Sequence, residues 1–246
     1  MEQTDPSPRA PRTAQDRERR ARSVKLFVRD IVVIFVAAIV ISVGIKTFLI
    51  RSFYIPSSSM TNTLQVNDRI IVNQLVPDVV ELKRGDVVVF RDPGGWLPQL
   101  VETDVNPVVG AVDWFLTMIG LSASDSNDHL IKRVIGLPGD TVMCCNPVGQ
   151  MEVNGAPLDE PYLNLPAGAS TVSGDDFSVT VPEGSLWVMG DNRYSSKDSR
   201  YNTDTPSNGF VPVDNVVGRA FVITWPSEHW SFIDNYPDTF RGVGDE

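Results

Sequence analysis

The sequence predicts a mainly β protein, in which one N-terminal transmembrane helix precedes an antiparallel, partly closed β domain. Three observations carry that reading. Ile31 to Ile50 is apolar over twenty residues, with Lys46 as its only charge. Beyond it, short runs rich in Val and Ile are separated by turns such as Pro93-Gly94-Gly95, Pro138-Gly139-Asp140 and Asn154-Gly155. Helical spacing recurs only from Val108 to Leu121, at Val112, Phe115, Leu116 and Ile119.

Taken in order, residues 1–30 form a cytoplasmic tail with a basic flank. Residues 1–22 mix Pro6, Pro8 and Pro11 with alternating charges and almost no apolar content, too little to repay the entropy of ordering, so disorder is expected. Residues 31–50, at about 1.5 Å per residue, match a hydrocarbon core about 30 Å thick. Arg19, Arg20, Arg22, Lys25 and Arg29 crowd the N-terminal side of this run. That asymmetry keeps the tail in the cytoplasm and puts residues 51–246 outside. Lys46 is close enough to the far end to snorkel. A cleaved signal peptide is the competing reading. Against it, the run exceeds the usual ~7–15 residues of a signal's apolar region, and the small-x-small candidate, Ser42-x-Gly44, falls inside the run.

In the domain 51–246, strands are expected at Arg69 to Gln74, Asp86 to Arg91, Asp140 to Cys144, Gln150 to Val153, Phe177 to Val181, Leu186 to Met189 and Val216 to Thr224. Val108 to Leu121 is too short to span a bilayer and contains Asp113, so it reads as a helix that is buried or lies on the membrane surface. The formal net charge is −10, and residues 51–246 alone carry −14, which argues against a nucleic-acid partner. Two histidines, His129 and His229, and one adjacent cysteine pair are too few ligands for an ordinary zinc site, so neither metal nor cofactor is expected. Cys144 and Cys145 face an oxidising compartment in this topology, as a bridge between neighbours or as two free or differently bonded thiols.

The chemistry centres on Phe53-Tyr54-Ile55-Pro56-Ser57-Ser58-Ser59-Met60-Thr61-Asn62-Thr63-Leu64. Continued strand alternation would put Phe53, Ile55, Ser57 and Ser59 on one face, and Pro56 suggests a free edge beside which a peptide could lie. A serine cluster is also an ordinary polar turn. To attack a carbonyl, a hydroxyl needs a base and oxyanion donors. Neither histidine stands in a recognisable elbow, and G-x-S-x-G is absent, which leaves lysine as the base. A second stretch, His129 to Asp140, carries Lys132 and Arg133 on opposite faces of an alternating strand. A third, Met189 to Arg200, is dense in hydrogen-bonding groups.

In order and spacing, these three stretches and Gly85-Asp86-Val87-Val88-Val89-Phe90 closely resemble type I signal peptidases, bacterial membrane-bound serine proteases that remove signal peptides from exported preproteins. The likeness runs from the apolar segment through Gly218-Arg219-Ala220. It implies Ser59 as nucleophile and Lys132 as general base, with Ser57 donating to the oxyanion beside the Ser59 N–H. Ser196 would orient the lysine amine, and Gly190 would leave room for it. Asp191, Asp198 and Arg200 would form a structural polar network, while Phe53, Ile55, Leu64, Leu130 and Ile131 would line pockets for an Ala-x-Ala site. Signal peptides and membrane lipid are the partners implied, at the bacterial plasma membrane with one pass. The chain departs from the family pattern at Asn62, where many members have proline, at Leu130, where some have tyrosine, and at Asn202 to Ser207, which resembles an insertion. The competing classes are a self-cleaving Ser/Lys protease of the repressor type, which lacks an export anchor, and a tethered binding domain without chemistry.

Overall fold

Apolar content and β-branched pairing divide the chain after Thr47 into two compact units, described separately. The computed structural model describes residues 14–98 and 128–244. The stretch 108–121 and residues 1–13 of the tail lie outside them.

The first unit is a single helix, α1, Ala14–Phe48. Within it Arg22–Ile45, 24 residues of mean hydropathy 2.6, is long and apolar enough to cross a membrane. Its large apolar side chains, Phe27, Ile34 and Phe35 among them, are exposed. Two boundaries differ from expectation. Residues 14–22, expected to be disordered, are helical, and Ile50 belongs to the first strand rather than to the helix. Ile50 is opposite Asn73 in an antiparallel pair, so ladder pairing wins over its place at the end of an apolar run.

Among the described residues the second unit holds twelve strands: β1 (Ile50–Tyr54), β2 (Arg69–Asn73), β3 (Val87–Arg91), β4 (His129–Gly136), β5 (Thr141–Cys144), β6 (Glu152–Val153), β7 (Ala156–Pro157), β8 (Phe177–Thr180), β9 (Ser185–Met189), β10 (Val211–Pro212), β11 (Val216–Trp225) and β12 (Ser231–Phe232). Each of the seven runs named from the sequence contains a strand, with ends within two residues. The strands form an eight-stranded sheet, ordered β1-β2-β11-β3-β4-β9-β10 with β12 on β11, and a four-stranded sheet, β7-β6-β5-β8. Every pairing is antiparallel. The fold is mainly β, and neither sheet closes on itself.

β3 shows why the large sheet needs cover on both faces. Its residues Val87 to Phe90 are all buried. Val87 and Val89 pack with Phe53, Ile55, Met60, Leu64 and Ile131. Val88 and Phe90 point the other way, among Trp96, Val134, Leu186 and Val188. A third cluster joins the sheets, with Val142 and Val153 of the small one against Trp187 and Met189 of β9. Cys144 and Cys145 are joined to each other by a disulfide, with Cys144 in this cluster.

Candidate active site

The serine cluster leaves the strand before its last hydroxyl. Ile55 still exchanges bonds with the chain beyond β1, from Ile55 N to Asp68 O at 2.9 Å and from Asn67 N to Ile55 O at 2.9 Å. The backbone then turns, closed by Thr61 N to Ser58 O at 3.1 Å and Leu64 N to Met60 O at 2.7 Å. Alternation therefore stops at Ile55, and Ser57 is exposed while Ser59 is buried. Met60 and Leu64, both wholly buried, anchor the turn in the core. The Ser57 and Ser59 hydroxyl oxygens are 3.3 Å apart. From the other side, Asn192 donates its backbone N–H to Ser59 O at 3.0 Å and its side-chain amide to Ser58 O at 3.1 Å.

Lys132 is in β4, hydrogen-bonded between β3 and β9. Its Nζ is 2.8 Å from Ser59 Oγ and 2.9 Å from the carbonyl of Ile131. The side chain is only 3% exposed. Burial disfavours the ammonium form and lowers its pKa to about 8, against an opposing pull from Asp198 and then Asp191. The amine is thus within hydrogen-bond reach of a buried hydroxyl and releases its proton far more readily than a solvated lysine does.

Arg133, the next residue, is held by a separate network. All five of its N–H groups are used: two on Asp191, at 2.9 and 2.8 Å, and one each on Gly85 O, Asp234 O and Thr63 Oγ1. Tyr162 stacks against the guanidinium at 4.0 Å. Burial alone would lower the pKa of Arg133, but the Asp191 carboxylate more than offsets this and the net shift is upward. Thr63 also donates to Asp191, which links the serine turn to the Arg133 pair. Nearby, Asp198 pairs with Arg200 at 2.8 Å and accepts Gly190 N–H at 3.0 Å.

The remaining expected site residues each have their own surroundings. Ser196 Oγ is buried without a hydrogen-bond partner among the described residues, and Lys132 Nζ bonds to Ser59 Oγ and Ile131 O. A Cβ at Gly190 would come within 2.3 Å of Ser196 Oγ and 2.5 Å of Ser59 O, so this glycine makes room for the two serines. Phe53, Ile55, Leu64 and Ile131 do pack together, but Leu64 is wholly buried, and Leu130 packs against the opposite cluster. Neighbours in a strand face opposite ways, which separates Leu130 from Ile131. The positive charge of Arg133 is matched by Asp191 at 2.8 Å. A further ion pair, Arg193 with Glu160, is wholly buried. Arg193 falls in a stretch already notable for polar density, whereas no local pattern marks Glu160. Among the described residues, no group of three or more His, Cys, Asp or Glu side chains could hold a metal.

The signal peptidase, peptidase S26 family matches residues 28–225. The chain belongs to this family. It is 40% identical over 224 residues to a probable signal peptidase I of Mycobacterium leprae, covering 80% of this chain and 77% of that protein. With signal peptidase I of Mycobacterium tuberculosis strain H37Rv it shares 41% over 224 residues, 83% of this chain and 75% of the relative. A signal peptidase I crystal structure from Enterococcus faecalis is 28% identical, covers 56% of this chain and 95% of its own, and superposes with a TM-score of 0.36. As a family member the chain is a hydrolase of the serine peptidase class. Its departure from the family pattern at Asn62 has a backbone counterpart. Asn62 has φ +97°, which the ring of proline forbids, and its amide donates to Tyr162 O and Leu163 O at 3.1 and 3.3 Å.

Proposed function

We propose that this chain removes signal peptides from exported preproteins after small-x-small sites of the Ala-x-Ala kind, with Ser59 as nucleophile and neutral Lys132 as general base. The contact of 2.8 Å between Nζ and Oγ inside a buried site carries this reading. In the first step Lys132 Nζ takes the Ser59 hydroxyl proton as Oγ bonds to the scissile carbonyl carbon. The resulting oxyanion accepts from the Ser59 N–H and the Ser57 hydroxyl, whose oxygen is 3.3 Å from Ser59 Oγ. The ammonium then returns its proton to the departing amine as the C–N bond breaks, leaving an acyl ester on Ser59. Water, deprotonated by the same amine, hydrolyses the ester. Ser196 Oγ, buried and unpartnered, serves to orient the amine once substrate is bound. The buried pairs of Arg133 with Asp191 and of Arg200 with Asp198 keep the frame rigid.

Among the described residues β1 is the end strand of the large sheet and leads directly into the serine turn, which suits an extended peptide laid alongside. Phe53, Ile55 and Ile131 supply the apolar wall for small side chains. The apolar part of α1 anchors the enzyme in the bacterial plasma membrane, among its lipids, with the basic flank cytoplasmic and residues 51–246 outside. The decisive experiment incubates the detergent-solubilised full chain with a preprotein and sequences the new N-terminus. Cleavage after a small-x-small site that disappears in Ser59→Ala supports the assignment; cleavage retained in Ser59→Ala sinks it.

A further inference from the structure

The segment from Pro226 to Val243 follows Trp225, the last residue that the family matches. It returns across the domain as a strap and touches both halves of the site. His229 Nδ1 donates to Asp68 Oδ1 at 2.8 Å. Asp68 ties off the loop that carries the serine turn: its other carboxylate oxygen accepts Gln65 N–H at 2.7 Å, and its carbonyl accepts Ile55 N–H at 2.9 Å. Further along, the Asp234 carbonyl accepts Arg133 at 3.0 Å, and the Tyr236 ring is 5.4 Å from the same guanidinium. Asn235 donates to Asp86 at 3.2 Å, and its carbonyl lies directly over Gly85. Gly85 has φ +87°, and a Cβ there would fall 1.8 Å from that carbonyl. Gly85 in turn bonds to Val134 O and accepts from Arg133. The end of the strap is fixed by Thr239, which donates to Asp159 O at 2.7 Å, and by Phe240 and Val243 in the core beside Trp187. Burial of these two apolar side chains holds the end of the segment down.

We propose that this C-terminal strap is a positioning element for the nucleophile and the base, acting on the serine turn through His229 and on β4 through Arg133. The inference rests on the Ser59 and Lys132 reading above. Ser59 is carried by a turn and Lys132 by a strand, and the contact of 2.8 Å between them survives only if both frames keep their places. Among the strap's polar contacts, the one at Asp68 reaches the frame of the serine turn and the one at Arg133 reaches β4. Misplacing reacting groups by about 1 Å costs rate on the order of 10²-fold without weakening substrate binding to match.

The test uses the full chain in detergent and a peptide substrate with an Ala-x-Ala site, counting active sites with a covalent serine-reactive probe. His229→Ala with Tyr236→Ala should lower kcat per titrated site by about 10²-fold with KM nearly unchanged. Tyr236→Phe, which keeps the ring, and His229→Gln, which keeps a donor, should restore most of it. Arg241→Ala, on the exposed outer side of the strap where it pairs with Asp238, should leave kcat as it was. A double variant with normal kcat per titrated site and only a lower Tm overturns the proposal, since the strap would then serve stability alone. Should that double variant not fold, each single alanine variant decides by the same ratio. Ser59→Ala and Lys132→Ala run alongside. If either is active, the underlying assignment fails and the proposal with it. If both are inactive while the strap variants turn over normally, the strap proposal alone fails.

Discussion

Replacing Lys132 by methionine removes a buried amine whose pKa falls from 10.5 to about 8. At about 1.36 kcal/mol per unit, that difference is worth about 3 kcal/mol. The sign follows from proton binding. Below pH 8 both folded and unfolded chains carry the proton, and the wild type bears the whole cost of a buried charge. Between pH 8 and 10.5 the unfolded chain holds a proton that the folded chain has released, so stability rises with pH. Above 10.5 the cost is gone. Methionine has a similar volume and no charge, and it forfeits the contacts with Ser59 and Ile131 O, worth about 1 kcal/mol each. Lys132→Met should therefore be inactive yet about 1 kcal/mol or more stabler than wild type near pH 7. By pH 10.5 its advantage should have shrunk by about 3 kcal/mol, leaving it the less stable of the two. Urea unfolding of both proteins in detergent at several pH values from 7 to 10.5, followed by tryptophan fluorescence, gives the difference directly and cancels all other titrations. Stability curves that stay parallel across that range would refute a lysine held in the fold at a lowered pKa.

Three other outcomes are expected. Pre-steady-state cleavage should rise with pH through an apparent pKa near 8, since only the neutral amine of Lys132 accepts the proton; rates flat from pH 6 to 10 would contradict a lysine base. Ser57→Ala should lower kcat by about 10²–10³ with KM little changed, the loss typical of one oxyanion donor, and an unchanged kcat would assign the oxyanion to other groups. Gly190→Ala puts a methyl 2.3 Å from Ser196 Oγ and 2.5 Å from Ser59 O, neither of which can move freely, so both Tm and kcat should fall; a variant with wild-type values of both would show that the turn has slack.

The local chemistry of the chain determined a good deal without its fold. Runs of Val and Ile between turn residues located the strands, because β-branched side chains suit a pleated ladder and Gly, Pro and Asn do not. A long apolar segment marked α1 from composition alone, since Arg22–Ile45 is long and apolar enough to cross a membrane. The motif residues Ser59 and Lys132 were legible from order and spacing, 73 positions apart, and they do meet. What each side chain touches was decided by tertiary structure. Period-2 alternation holds only while the strand lasts, so it misread Ser57 and Ser59 once the chain turned after Ile55. It also says nothing of which strands adjoin, and that choice sets Leu130 among the Val88 cluster while Ile131 packs beside Phe53. Buried charge is the sharpest case. Alternation sets Arg133 on the face opposite Lys132, but its counter-ion is Asp191, 58 residues away, and a further carbonyl comes from Asp234, 101 residues away. A charge in a low-dielectric interior must be matched by whatever the fold brings within about 3 Å, and no local pattern in the chain records that partner.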